Sequence, residues 1–240
     1  MKPSGIAENL DRIRDRIAAA CARSGRPVSS VRLVAVTKYA TLEQVRALFD
    51  LGVRDLGESR PQQLLERAAQ LPPDVRWHLI GHLQRNKARR LLPVTDCIHS
   101  VDSFRLLEAL ERLAEETATA PRVLLQVNVA GEAAKHGFDP EELARGWLEA
   151  VRDCRHVRLE GLMTMAPYAE DPEAARPVFR ALRELRDRLV SDREFGSDPV
   201  ARYRESTLPE LSMGMTGDFE PAIEEGATLI RIGGALFDAG

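Results

Sequence analysis

The sequence predicts an α/β protein built as a single (β/α)8 barrel of the TIM type, with one extra helix before the first strand. Three observations point there. Eight short apolar segments alternate with segments of helical period, an order that implies parallel strand pairing. The apolar segments are near-continuous rather than alternating, as strands are when both faces of a parallel sheet are covered. Polar and glycine-rich residues gather at the C-terminal ends of those strands, the face of such a barrel that carries its chemistry. An open doubly wound sheet is the competing architecture. No GxGxxG follows the first strand, however, and eight strands close a barrel naturally.

Taken in order, Ile6, Leu10, Ile13 and Ile17 set a helix over about 6–23, ended by Ser24-Gly25 and Pro27. VRLVAVTKY (31–39) reads as a buried strand. Thr41 is an N-cap for a helix carrying Leu42, Val45, Leu48 and Phe49 and ending at Gly52. VRDLGES, VRWHLIG, CIHSV, RVLLQVNV and VRLEGLMTM read as the next five strands. The helices between them lie in RPQQLLERAAQ, LQRNKARRLLP, SFRLLEALERLAEET (capped by Ser103) and residues 140–151. A long helix over 173–189 precedes a seventh strand near Glu210 to Ser212. DFEPAIEEG is a short helix and ATLIRIG the last strand. No Pro/Gly/Ser-rich linker divides the chain, so residues 1–240 read as one domain, close to the roughly 250 residues common for such barrels.

Composition narrows the function classes. Lys+Arg number 34 and Asp+Glu 37, a net charge of −3 that argues against a dedicated nucleic-acid or membrane surface. The cluster Arg85, Lys87, Arg89 and Arg90 reads as a solvated helix face. Cys21, Cys97 and Cys154 are widely spaced and form no CxxC pair, which disfavours a disulfide framework or a structural zinc site. No apolar run approaches the roughly 20 residues that span a bilayer. The N-terminal segment lacks the apolar stretch of a signal peptide, so a cytoplasmic location is expected.

The residues that stand out lie at the strand ends: Lys38, Glu58-Ser59, His82, His99-Ser100, Asn128, Met163-Thr164, Ser212 and Arg231-Ile232-Gly233-Gly234. Lys38 follows the run Val31 to Val36, where an ammonium is costly unless it faces the mouth. There it suits an imine-forming amine. The alternative is a lysine that snorkels or pairs with Glu58. In barrels of this kind a phosphate commonly sits at the loops after strands seven and eight. Here those are Ser212-Met213-Gly214-Met215-Thr216-Gly217 and Gly233-Gly234, whose unhindered N–H groups suit a phosphate dianion, though two ordinary glycine turns read the same way. His78 and His82 have the spacing of helical metal ligands, but Trp77 to Ile80 reads as strand, so the two need not share a face; no third ligand is evident, and no metal is expected. Lys135 reads as a loop lysine able to approach the mouth as a secondary amine.

At these residues the chain resembles the pyridoxal 5′-phosphate (PLP) homeostasis proteins of the YggS/PROSC type. The matching segments are LVAVTKY, LGES, WHLIGHLQRNK, IHSVDS, QVNVAGEAAKHG, GLMTMAP, LSMGMTGDFEPAIEEGAT and IRIGGALF, in that order and across nearly the whole chain. The resemblance implies a barrel like the N-terminal domain of alanine racemase, PLP held by Lys38 as a Schiff base, Ser212 at the phosphate, Arg231 facing the pyridine nitrogen, and Gly233 and Gly234 as phosphate N–H donors. It also implies a carrier without established turnover. The expected partners are PLP itself, PLP-dependent apoenzymes and free amino acids, with the protein a monomer. Two positions depart from the family pattern. Ser59 stands where the motif usually has Asn, and Gly234 where it usually has Thr or Ser, so the phosphate cup lacks a hydroxyl.

Two other functions fit the same residues. A small PLP-dependent amino-acid racemase needs a base on each face of its substrate. Lys38 serves one face; Tyr39, Tyr168 and Tyr203 are the only tyrosines, and none has an obvious claim to the other. A barrel enzyme acting on a sugar phosphate would use Lys38 as a Schiff-base lysine without PLP.

Overall fold

The computed structural model describes residues 3–132, 136–191 and 208–237, so Lys135 and Tyr203 lie outside the described residues. Eight parallel strands form a closed barrel in chain order: β1 (Arg32–Val36), β2 (Asp55–Glu58), β3 (Arg76–Leu79), β4 (Cys97–Val101), β5 (Arg122–Gln126), β6 (Arg158–Met163), β7 (Glu210–Met215) and β8 (Leu229–Ile232). Closure is made by β1 against β8, with Val34 opposite Arg231 and Ala35 opposite Ile232. The helices are α1 (Pro3–Arg23), α2 (Leu42–Asp50), α3 (Pro61–Ala68), α4 (Arg85–Leu91), α5 (Phe104–Thr117), α6 (Pro140–Asp153), α7 (Arg176–Ser191), α8 (Phe219–Glu224) and α9 (Gly234–Phe237). The barrel and the extra first helix are as the sequence predicts. Among the described residues no helix is long and apolar enough to cross a membrane.

Local chemistry sets the element ends. Thr41 caps α2 with a reciprocal box to Gln44, Ser103 accepts from the N–H of Leu106, and Asp139 accepts from Glu141 and Glu142. α1 buries Ile6, Leu10, Ile13 and Ile17 and packs on α2, α8 and α9. The helix expected over 173–189 begins instead as a 3-10 turn, Pro172–Ala175, and becomes α-helical only at Arg176. Pro177 has no N–H to return to Glu173, so an α-helix cannot run through that turn. β7 runs three residues past its expected end. Its register against β8 shifts between Ser212 and Met215, where Gly214 takes φ +90°.

The inward side chains are layered. At the strand starts, the floor of the barrel, they are charged. Arg122 pairs with Glu160 at 2.5 Å, Asp96 at 2.8 Å and Glu210 at 3.5 Å, and Arg32 pairs with Glu210. Arg76 holds Asp55 through Nε and Nη2 at 2.9 and 2.6 Å. Above this floor lies an apolar layer of Val34, Cys97, Leu124, Met163 and Leu229. Gly161 is where β6 meets β7 too closely for a side chain, since a Cβ there would lie 1.8 Å from the carbonyl oxygen of Glu210.

The floor makes stability depend on pH. Burial alone would raise the pKa of Asp55, but hydrogen bonds from Arg76 and His78 outweigh it and hold the carboxyl well below its ordinary range. A folded value below the unfolded one gives stability that is complete above about pH 4 and is lost as pH falls toward the folded value. Asp55→Asn is therefore expected to lose about 1–3 kcal/mol near neutral pH, a range kept low because Arg76 is half exposed. Urea denaturation of both proteins should show that gap narrowing below about pH 4; a gap independent of pH would refute the assignment.

Candidate functional site

Lys38 sits in the turn that follows β1, four residues beyond Val34 and of the same inward parity. It is half-buried, with Nζ 5.0 Å from the centroid of the Tyr39 ring. The alternative partner, Glu58, is engaged elsewhere. Its carboxylate accepts from Arg67 at 2.7 Å, from the Thr37 hydroxyl at 3.3 Å, and from the backbone N–H groups of Ser59 and Arg60 at 2.8 and 3.2 Å. No ion pair among the described residues involves Lys38. The amine is thus left free at the mouth.

Arg67 is the residue that sequence reasoning missed. It is buried on the inner face of α3 and donates to the carbonyls of Thr37 at 2.7 Å and Ala40 at 2.6 Å. One guanidinium therefore ties down both ends of the turn that carries Lys38, and Glu58 balances its charge. The available signal was an arginine three residues after Leu64, on the apolar stripe of a helix, where a charge needs a partner.

Arg231 lies opposite Val34 on β8 and is buried below the rim, not on it. It donates to Ser212 Oγ at 2.6 Å and to the carbonyl of Thr164 at 2.9 Å. Both acceptors are neutral. Burial pushes its pKa down to about 10, while the carboxylate of Asp218 acts in the opposite sense without an ion pair among the described residues. Ser212 is in turn 2.8 Å from Nδ1 of His99, His99 Nε2 is 2.8 Å from Nδ1 of His78, and His78 Nε2 is 3.0 Å from Asp55. His99 was expected on the rim; it is wholly buried inside the barrel. Burial, with His78 and Arg231 nearby, holds its pKa well below the imidazole range.

The remaining expected residues border the mouth. Ser59 is half-buried just past β2, and its hydroxyl makes no hydrogen bond among the described residues. Gly233 is half-buried and Gly234 exposed; a Cβ on Gly233 would meet Val36 only at 3.5 Å, so this backbone is open to approach. At the end of β7 the N–H of Met215 is taken by Asp218 at 2.5 Å, while Thr216 and Gly217 in the loop beyond remain partly open. His78 and His82 do not come together. His78 is inside the barrel, whereas His82 stacks on His136 at 4.6 Å beside Asp102 on the outer rim.

The family model described as alanine racemase, N-terminal domain, matches residues 9–239. The pyridoxal phosphate homeostasis protein of Aquifex aeolicus is 42% identical over 231 residues, covering 96% of both chains. The chain belongs to the pyridoxal phosphate homeostasis protein family. Among solved structures, PipY of Synechococcus elongatus PCC7942 with PLP bound is 35% identical with a TM-score of 0.76, covering 94% of this chain and 100% of that one. Alanine racemase of Clostridium difficile 630, at 14% identity and a TM-score of 0.73, shares the fold over 99% of this chain and 57% of that one.

In this homeostasis-family barrel the Glu58–Arg67 pair is a structural requirement of the mouth. Removing one buried partner leaves the other charge uncompensated. Arg67→Met is expected to destabilise by about 3–5 kcal/mol. Adding Glu58→Gln to it should recover part of that loss, since the stranded carboxylate disappears. A double-mutant cycle by thermal or urea unfolding checks this, and strictly additive losses would refute the pairing.

Proposed function

We propose that the protein holds PLP reversibly at the C-terminal mouth of a single-domain barrel, through Lys38, and acts in PLP homeostasis as a carrier rather than as a turnover enzyme. The observation that carries this reading is Arg231. A buried guanidinium bonded only to a hydroxyl and a carbonyl favours a ligand atom with an available lone pair and no proton. The pyridine nitrogen of PLP is such an atom. The donor set fits the rest of the group, with a free half-buried amine at Lys38 and open glycine N–H groups at the end of β8. The family's name and the PLP-bound PipY support the same ligand.

PLP, when bound, supplies an aldehyde that an amine holds reversibly. Lys38 Nζ is that amine, and Arg67 keeps its turn in place. Arg231 orients the ring by donating to its nitrogen. Gly233 and Gly234 offer N–H groups to the phosphate, with the loop through Thr216 beside them. Ser59 contributes one hydroxyl where an amide would offer two groups. Ser212 serves the site through Arg231, because its oxygen already accepts from that guanidinium.

The same residues support the carrier role. Arg231 offers only donors, so the ring nitrogen stays unprotonated and the ring is a weak electron sink. A racemase needs a second proton-transfer group facing Lys38. Tyr39 lies on the Lys38 turn at 80% exposure and Tyr168 is 95% exposed, so neither is held in the mouth. A cytoplasmic monomer exchanging PLP with free amino acids and with PLP-dependent apoenzymes completes the reading.

Two measurements test it. Purified protein mixed with PLP should show an absorption band that borohydride fixes as an adduct on Lys38, and Lys38→Ala should lose both. An adduct mapped elsewhere would sink the tether, no band at all would favour a sugar-phosphate enzyme, and sustained turnover lost in Lys38→Ala would favour the racemase. Gly234→Thr should tighten PLP binding by about ten-fold or more, because it restores a hydroxyl for a charged phosphate; an unchanged affinity in a PLP titration would refute the missing-hydroxyl argument.

A further inference from the structure

The mouth and the floor of the barrel are joined by a continuous row of buried polar groups. From top to bottom it runs Arg231, Ser212, His99, His78, Asp55, with each link between 2.6 and 3.0 Å. Ser212, His99 and His78 are wholly buried, so water does not stand in for any member.

The two ends decide the direction of every bond between them. Arg231 has donors only, so Ser212 Oγ accepts from it. Asp55, bound by Arg76 through both oxygens, is ionised and accepts only, so His78 donates through Nε2. The charge of Asp55 is already balanced by Arg76, and a further proton on a buried imidazole beneath Arg231 would lack compensation. His78 Nδ1 is then an acceptor, and His99 donates to it through Nε2. That leaves His99 Nδ1 as an acceptor, which takes the hydroxyl hydrogen of Ser212. All four hydrogen bonds point from the mouth toward the floor.

We propose that His99 and His78 are positioning residues for Arg231: by drawing the Ser212 hydroxyl hydrogen inward they turn its lone pair toward the guanidinium, so that the mouth presents fixed donors, yields no proton, and selects a ring nitrogen that is itself an acceptor. The proposal rests on the PLP reading for the ligand and on the structure alone for the relay. It makes the specificity concrete. PLP is taken, and its N-methylated analogue, a permanent cation with no lone pair at that nitrogen, is refused.

The relay is tested first without ligand. Nitrogen NMR of histidine-labelled protein near neutral pH should show His78 and His99 both neutral and both protonated at Nε2. A cationic ring, or His99 protonated at Nδ1, would overturn the proposal. Two variants then separate positioning from packing. His99→Gln keeps a polar atom near Nε2 but removes the acceptor facing Ser212. It should release PLP about ten-fold faster, the effect of about one lost hydrogen bond, and should narrow the preference for PLP over N-methyl-PLP. His99→Asn places an acceptor near the position of Nδ1 and should recover most of both effects, although it too loses the link to His78. Equal ligand effects in the two variants, or effects that merely follow their melting temperatures, would overturn the role of His99. Wild-type protein that shows the Nε2 pattern but forms no reducible adduct with PLP would support the relay and overturn the PLP reading.

Discussion

A guanidinium enclosed in a barrel must be met by acceptors, and the arrangement of this interior follows from how Arg231 is met. Its hydrogen bonds go to the hydroxyl of Ser212 on β7 and the carbonyl of Thr164 just past β6, two neutral groups. A carboxylate in their place would have settled the charge internally and left nothing for a ligand. With neutral acceptors the charge is tolerated but not cancelled, and burial lowers the pKa of the group to about 10 without removing its proton at neutral pH. The mouth above it is therefore biased toward an electron-rich atom before any ligand arrives.

The charges that do cancel are kept at other levels. The carboxylates and guanidiniums of the floor pair with one another around Arg122, Arg76 and Arg32. Glu58 and Arg67 cancel in the wall beside the mouth. This partition leaves the amine of Lys38 outside the described ion pairs and leaves Arg231 with an uncancelled charge. The closed sheet makes the partition possible. Its parity sends alternate side chains inward on every strand, and apolar Val34, Cys97, Leu124, Met163 and Leu229 pack together in the interior beside the buried polar row.

Much of this was legible in the sequence, and the limits have physical reasons. The strands and helices show in apolar period and cap chemistry, so the eight-fold alternation and the caps at Thr41 and Ser103 could be read directly. Lys38, Ser59 and the glycines after β8 could be placed at the mouth because strand ends locate it. Depth could not be read that way. Arg231 is one residue and His99 two residues from the ends of their strands, and whether such a residue lies on the rim or below it depends on the strand stagger that closure imposes. Arg67 was hidden for a related reason. A helix stripe shows which face is buried, but not that a carboxylate at the end of the preceding strand will be waiting there.

On the proposed reading, the same geometry holds a ligand without transforming it. Lys38 stands on a turn whose two flanking carbonyls are held by Arg67, so the amine is placed without being neutralised by a carboxylate. Beneath it, Arg231 has no proton it can release at neutral pH, and the Ser212 oxygen that meets it has its other bond on His99. A site built for repeated proton transfer would set an acid or base of suitable pKa against each face of its substrate. Here the two imidazoles of the interior, His78 and His99, are wholly buried beneath the mouth and bonded to each other. On the carrier reading proposed for this barrel, they hold the mouth in one arrangement and take no part in proton exchange with its ligand.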